Sequence, residues 1–250
     1  MNALIRAEWL KITTTRMVVG MTITALLLTA FAVVVTILTV GLEGVPPLTN
    51  PATIRNVFAS GVGGGSIIVL ILGILGMTGE IRHQTITSTF LAAPRRGRVV
   101  GAKMTSYALV GAIIALLCSA LTIVLALALL PLKEHLPIPW GEVGQIVGGA
   151  VLCYAIYAIL GVAVGSLVRN QVAAIIGTIA WVLVAEQLLI GLLPAVGKWL
   201  PGGAAAGVLQ ASPDVSVTLL PVWLGALVLL GYGVVLGLLA ARTTLRADVT

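Results

Sequence analysis

Six long apolar runs constrain this chain more than any other feature. They are Met17–Val40, Val57–Thr78, Met104–Leu130, Val143–Val168, Val172–Leu193 and Leu220–Ala241. About 20 apolar residues cross a bilayer as a helix, and a helix satisfies its own backbone hydrogen bonds there. Of the 250 residues, 59% are hydrophobic and only 9% charged, against roughly 25% charged in an average soluble domain. A soluble globule could not clothe itself with so few polar side chains. The first run has 24 residues, too many for a signal-peptide core of roughly 7–15, so it is expected to stay as a span. The expectation is an all-α integral membrane protein with six transmembrane helices, residues 1–250 forming a single transmembrane domain. Six spans leave no room for a nucleotide-binding domain of roughly 100–200 residues.

The net charge of +6 gains meaning only when placed against the spans. With the N-terminus in the cytoplasm, the inside segments hold Arg6, Lys11, Arg16, Arg82, Arg95, Arg96, Arg98, Lys103, Arg169, Arg242 and Arg246. The outside segments hold Arg55, Lys133 and Lys198. This bias follows the positive-inside rule and puts both termini in the cytoplasm. The basic charge therefore reports topology and contact with anionic membrane lipid, and no nucleic-acid partner is expected. Cys118 and Cys153 both fall inside apolar runs and read as packing residues.

Catalytic motifs are missing. There is no G-x-x-x-x-G-K-[ST] phosphate loop. The Gly61–Gly65 cluster lacks a lysine, and its sequence context suits helix flexibility or close helix contact. Two histidines, His83 and His135, fall on opposite sides of the membrane in this topology, and no carboxylate cluster is available for a metal. The chain is not expected to be an enzyme, and neither a cofactor nor a metal is expected in it.

Five features remain. Residues 1–16 are too polar to span, and Ile5, Trp9 and Ile12 share one helical face with Arg6 and Lys11 off it. This reads as an interfacial helix on the inner leaflet, or as a plain basic anchor. The inside link, residues 79–103, permits a helix over Glu80–Ala92 with Ile86 and Phe90 stacked and Pro94 as its stop. That helix either projects to a partner or packs back on its own spans. Glu186 and Gln187 lie in the fifth span, and a carboxylate there faces protein or a water-filled cavity. Glu186 is either a lining of a substrate path, a protonatable switch or a structural hydrogen-bonding group. Finally, the outside link, residues 194–219, is long yet mostly apolar and Gly-rich, which suits a re-entrant element better than a surface loop. Threonines 15, 22, 29 and 36 repeat every seven residues along one side of the first span, a spacing that suits bonds to upstream carbonyls or helix packing.

Taken together, the stretches R-A-E-W-L-K (Arg6–Lys11), E-I-R-H-Q-T-I-T-S-T-F-L-A-A-P-R-R (Glu80–Arg96), L-V-R-N-Q-V-A-A (Leu167–Ala174), the Glu-bearing fifth span and L-P-G-G-A (Leu200–Ala204) resemble an ABC-2 type transporter permease. That is the membrane subunit of an ATP-binding-cassette exporter. The resemblance covers nearly the whole chain. It implies that Arg6, Glu8, Trp9 and Lys11 belong to a connecting helix at the inner leaflet. It implies a cytoplasmic coupling helix, with Glu80, Arg82, His83, Ile86, Phe90, Leu91, Arg95 and Arg96 docking on a separate ATPase, and Arg169 and Asn170 as a second contact. ATP and Mg would sit on that ATPase, present in two copies and paired with two permease copies, identical or related. The cargo, an amphipathic drug-like or lipid-like compound, would pass near spans two and five, where Ser66, Thr178, Glu186 and Gln187 are the polar candidates. The rival is a proton-coupled secondary transporter using Glu186, which would require broken helices near the midplane. Arg far outnumbers Lys, and Ala, Gly and Val abound, which suits the plasma membrane of a bacterium.

Overall fold

A computed structural model describes residues 2–42, 45–83, 96–168, 170–211 and 219–246. Among these the chain is all-helical. A short helix α1 (Asn2–Thr14) leads into α2 (Arg16–Thr39), α3 (Pro51–Arg82), α4 (Arg96–Leu129), α5 (Trp140–Val168) and α6 (Gln171–Leu192). The single turn Pro194–Gly197 and helix α7 (Pro201–Leu209) come next, and α8 (Val222–Arg246) closes the chain. Helices α2 to α6 and α8 are each long and apolar enough to cross a membrane, which fits a multi-pass membrane protein.

Helix α3 runs past its apolar run at both ends. The second run, expected from Val57 to Thr78, is part of a continuous helix from Pro51 to Arg82. Asn50 starts it, its side chain accepting from the Ala52 N–H at 3.0 Å, with Pro51 at the first helical position, where a missing N–H costs nothing. The helix passes through Gly61–Gly65 unbroken.

Helices α3 and α5 form the centre. Some 67% of the α3 membrane window is buried, against 17% for α2 and 11% for α6. In lipid, helices gain little by hiding apolar surface from each other, so close backbone approach is what holds them. Gly73 of α3 meets Gly161 of α5, and Gly165 of α5 meets Ile74 of α3 along the same seam. A Cβ on Gly161 would collide with the Leu70 carbonyl oxygen, and one on Gly73 with that of Ala158. Gly65 makes room in the same way for Tyr154. Of the four threonines, Thr15, Thr22 and Thr36 donate to carbonyls four residues back. Thr29 crosses to the Gly61 carbonyl at 3.0 Å, tying α2 to α3.

Side-chain pairs define two ends of the bundle. At the end far from α1, Arg55 and Glu142 join the starts of α3 and α5 at 2.6 Å. The Lys133 ammonium there donates to the carbonyls of Ile37 and Val40, each at 2.8 Å. A cation at a helix C-terminus meets carbonyls with no intrahelical partner. The segment after α6 folds back at this end. Helix α7 buries Gly203, Ala204, Gly207, Val208 and Leu209 and packs on α8 and α5. Gln210 ends it in the left-handed region (φ 48°), its side-chain amide donating to the Leu220 carbonyl at 2.8 Å.

Candidate functional site

Two places in the described residues gather buried charge. The first lies where α1 meets the last turn of α3 and the first turns of α4. Glu8 is only 4% exposed and Lys103 only 2%. The Lys103 ammonium donates to Glu8 Oε2 at 2.6 Å and to Glu80 Oε1 at 2.9 Å. Lys11 donates to Glu8 Oε1 at 2.8 Å and to Glu80 Oε1 at 3.1 Å. Two acids and two bases thus close a ring across three helices. Tyr107 covers it from α4, its ring 5.7 Å from the Lys103 nitrogen, within cation–π reach.

The ring shifts the proton affinities of Glu8 and Lys11. Burial alone would raise the Glu8 carboxyl, but the attraction of Lys103 and its hydrogen bond, with those of Lys11, outweigh it. The carboxyl is held below the usual glutamate value. Burial would likewise depress Lys11, yet Glu8 and Glu80 hold its ammonium above the usual lysine value. Both shifts favour the charged forms that the ring needs.

The second place is at the other end. Glu186 is 1% exposed. A π-helical turn, Trp181–Ala185, immediately precedes it in α6. Such a turn inserts an extra residue and re-aims the side chains beyond it. Gln187 returns its side-chain amide to the Val182 carbonyl in this turn at 3.3 Å. Glu186 Oε1 accepts from the Gly202 N–H at 2.5 Å. Gly202 sits in the first turn of α7, whose N–H groups have no helical partner and carry partial positive charge. Glu186 Oε2 is buried with no hydrogen-bond partner among the described residues.

Glu186 stands at the boundary of two cavities. The larger, about 570 Å³, is walled by the second half of α2, the first half of α3, α6 and α7, with Ser66, Tyr157, Glu186 and Gln187 among its lining. The smaller, about 390 Å³, lies between α5, α6 and α8 and is lined by Tyr157, Thr178, Glu186 and Tyr232 among others. Both volumes fall within the range of small-molecule sites.

The structure therefore brings three of the four expected pathway residues into one cavity, and Thr178 into its neighbour. The Ser66 hydroxyl is engaged with the Gly63 carbonyl at 2.8 Å. Of the expected coupling residues, Glu80 belongs to the last turn of the α3 span and to the charged ring. The start of a separate helix does not fall there, because its carboxylate finds both lysines by continuing α3. Arg82 and His83 are exposed at the edge of the cleft beside the ring. Ile86, Phe90, Leu91 and Arg95 lie outside the described residues, as does Arg169, and Arg96 opens α4. Asn170 caps α6, accepting from the Ala173 N–H at 3.1 Å. On α1, Arg6 is exposed, Trp9 half-buried and Ile12 buried, as the apolar face requires. Glu8 is buried on the margin of that same face.

Sequence reasoning missed three participants. Lys103 counted only as a topology marker. Its signal was a lysine intruding into the start of an apolar helix, with a glutamate equally placed at the end of the preceding span. Tyr157, 5% exposed and lining both cavities, carried no sequence signal. Neither did Gly202, whose part is played by its backbone. No family model and no curated protein matches this sequence.

Proposed function

We propose that the chain is the permease subunit of an ATP-driven exporter that moves an amphipathic, drug-like or lipid-like compound across the plasma membrane of a bacterium. In this reading the end bearing α1 faces the cytoplasm, in keeping with its basic charge. ATP with Mg is hydrolysed on a separate ATPase, two copies of which pair with two permeases. The observation that carries the reading is the cavity of about 570 Å³ set against a buried carboxylate. It has apolar walls for an amphipathic body and one polar anchor.

The charged ring supplies a route for coupling. Glu80 and Lys103 flank the link of residues 84–95 and are both tied to α1. A load on that link from a docked ATPase would reach α1, α3 and α4 together. Helix α3 then runs unbroken to the cavity. The permease pair would rock between two packings, and α7 would act as a re-entrant gate held by Glu186.

The test is co-purification of this chain with an ABC ATPase and ATP-dependent transport in vesicles, with Phe90→Asp in the link. The expected outcome is an ATPase complex that Phe90→Asp dissolves. Transport and ATPase association unaffected by that change would reject the coupling role. A second reading, a proton-coupled secondary transporter, draws on the π turn beside Glu186 and the unpartnered Oε2. It requires uptake driven by a pH gradient in vesicles containing this chain alone.

A further inference from the structure

The larger cavity has one charged lining residue. Among the described residues that line it there is no lysine, arginine or histidine, and Glu186 is the sole carboxylate. The other titratable groups facing it are Cys153 and Tyr157 of α5, neutral in their ordinary range. Glu186 Oε1 is taken by the Gly202 N–H. That contact uses the positive end of α7 and fixes the carboxylate plane. An anion entering the cavity would therefore meet Glu186 and not the helix end. Oε2 is left with no partner among the described residues. Of the nearby donors, the Ser66 hydroxyl turns to the Gly63 carbonyl and the Gln187 amide to that of Val182. A carboxylate oxygen in apolar surroundings demands either a proton or a cation. Around it the wall is apolar, with Val35, Val62, Ile67, Val182 and Leu183.

We infer that this cavity takes a lipophilic monocation, an organic amine or onium, whose positive centre meets Oε2 of Glu186 while its apolar body lies against α2, α3 and α6. The inference rests on reading the cavity as the place where cargo sits, and it names the charge and chemical class of that cargo. Tyr157 supplies an aromatic wall beside the carboxylate, as sites for organic cations do.

The probe is tetraphenylphosphonium, a permanent cation, measured by equilibrium binding to the full chain in detergent. Triphenylphosphine oxide, neutral and of similar body, serves as competitor. The expected result is that the cation binds, that the neutral analogue competes at least tenfold less well, and that Glu186→Gln weakens cation binding at least tenfold. Gln keeps an oxygen for the Gly202 N–H, so the fold is retained. Gly63→Phe is the second variant. A side chain at Gly63 enters open space in the cavity, so it should abolish binding with Glu186 intact. Equal binding by Glu186→Gln, or equal competition by the neutral analogue, overturns the inference and leaves a proton on Oε2. Transport in vesicles separates this from the exporter reading. Glu186-dependent binding without ATP-driven movement of the phosphonium keeps the cation site and removes the exporter. ATP-driven movement of the neutral analogue but not of the phosphonium keeps the exporter and removes the cation class.

Discussion

The two buried charge sites are opposites in construction. At the α1 end, Glu8 and Glu80 face Lys11 and Lys103, so the local charge sums to zero. At the far end, Glu186 has a backbone N–H on one oxygen and, among the described residues, nothing on the other. In the ring each ammonium already bridges two carboxylates. The ring holds helices in register, and its geometry transmits force. An open carboxylate holds one short helix and keeps a lone pair in reserve. Similar chemistry thus serves as a joint at one end and as a site at the other. Substitutions should separate the two by effect size.

Removing Lys103 should be the most damaging change. Lys103→Met would leave Glu8 buried with only the half-exposed Lys11 for a partner. Stranding one member of a buried pair costs about 3–5 kcal/mol. The expected outcome is a large fall in detergent melting temperature, or loss of monodisperse protein. Replacing Glu8 as well, in Lys103→Met with Glu8→Leu, should recover much of the loss, since a matched apolar replacement leaves no stranded charge. Equal damage in the double variant would mean that the ring is more than a local charge balance.

Acid should open the ring next. Glu8 has a folded-state affinity for protons lower than in the unfolded chain. Its contribution is therefore fully present above the ordinary glutamate value and is lost as pH falls through the lowered one. Lys11 behaves in the other sense. Its raised value keeps its contribution until pH climbs past the ordinary lysine range. Amide hydrogen exchange, corrected for intrinsic rates, should show α1 losing protection at acid pH before α3 or α5 does. Simultaneous loss in all three would show that α1 is not the element held by the ring.

The contrast also explains what the sequence can reveal. Hydropathy finds spans because each lies within one contiguous window, and all six are legible as such. Hydropathy fails at their ends, where polar residues continue the helix only because partners reach them from afar. Arg55 and Glu142 are 87 residues apart, Glu8 and Lys103 95. Nothing local ties them together, so the apolar run predicts a stop near Thr78 where α3 continues to Arg82. Glu186 stands out because a carboxylate in an apolar run is costly wherever it lies. Its partner cannot be read, because Gly202 contributes a backbone N–H and any residue but proline has one. The π turn that aims Glu186 has no compositional mark either.

At the far end the effects should be smaller. Glu186→Leu removes the acceptor for the first turn of α7, and losing such a cap costs about 0.5–2 kcal/mol. Glu186→Gln keeps it and should be stable to within about 0.5 kcal/mol, or more stable, since it removes an unpaired charge. This ordering, Leu worse than Gln, is the reverse of what a purely apolar environment would give. A thermal-shift comparison of the two variants reads it directly. If Gln is as damaging as Lys103→Met, Glu186 belongs to a closed network like the ring.

Of the two bases of the ring, Lys11 should give much the smaller effect. It makes as many ion pairs as Lys103, two each, at similar distances, yet its side chain is 47% exposed where that of Lys103 is 3%. Water can replace what Lys11 provides, and exposed pairs are worth roughly 0–1 kcal/mol. Lys11→Met should therefore lower stability by about 1 kcal/mol or less, and added salt should shrink the difference further. Lys103→Met should respond little to salt, because its pairs are shielded from ions. Equal salt sensitivity in the two variants would mean that water reaches Lys103, and the ring would then be an exposed cluster instead of a buried joint.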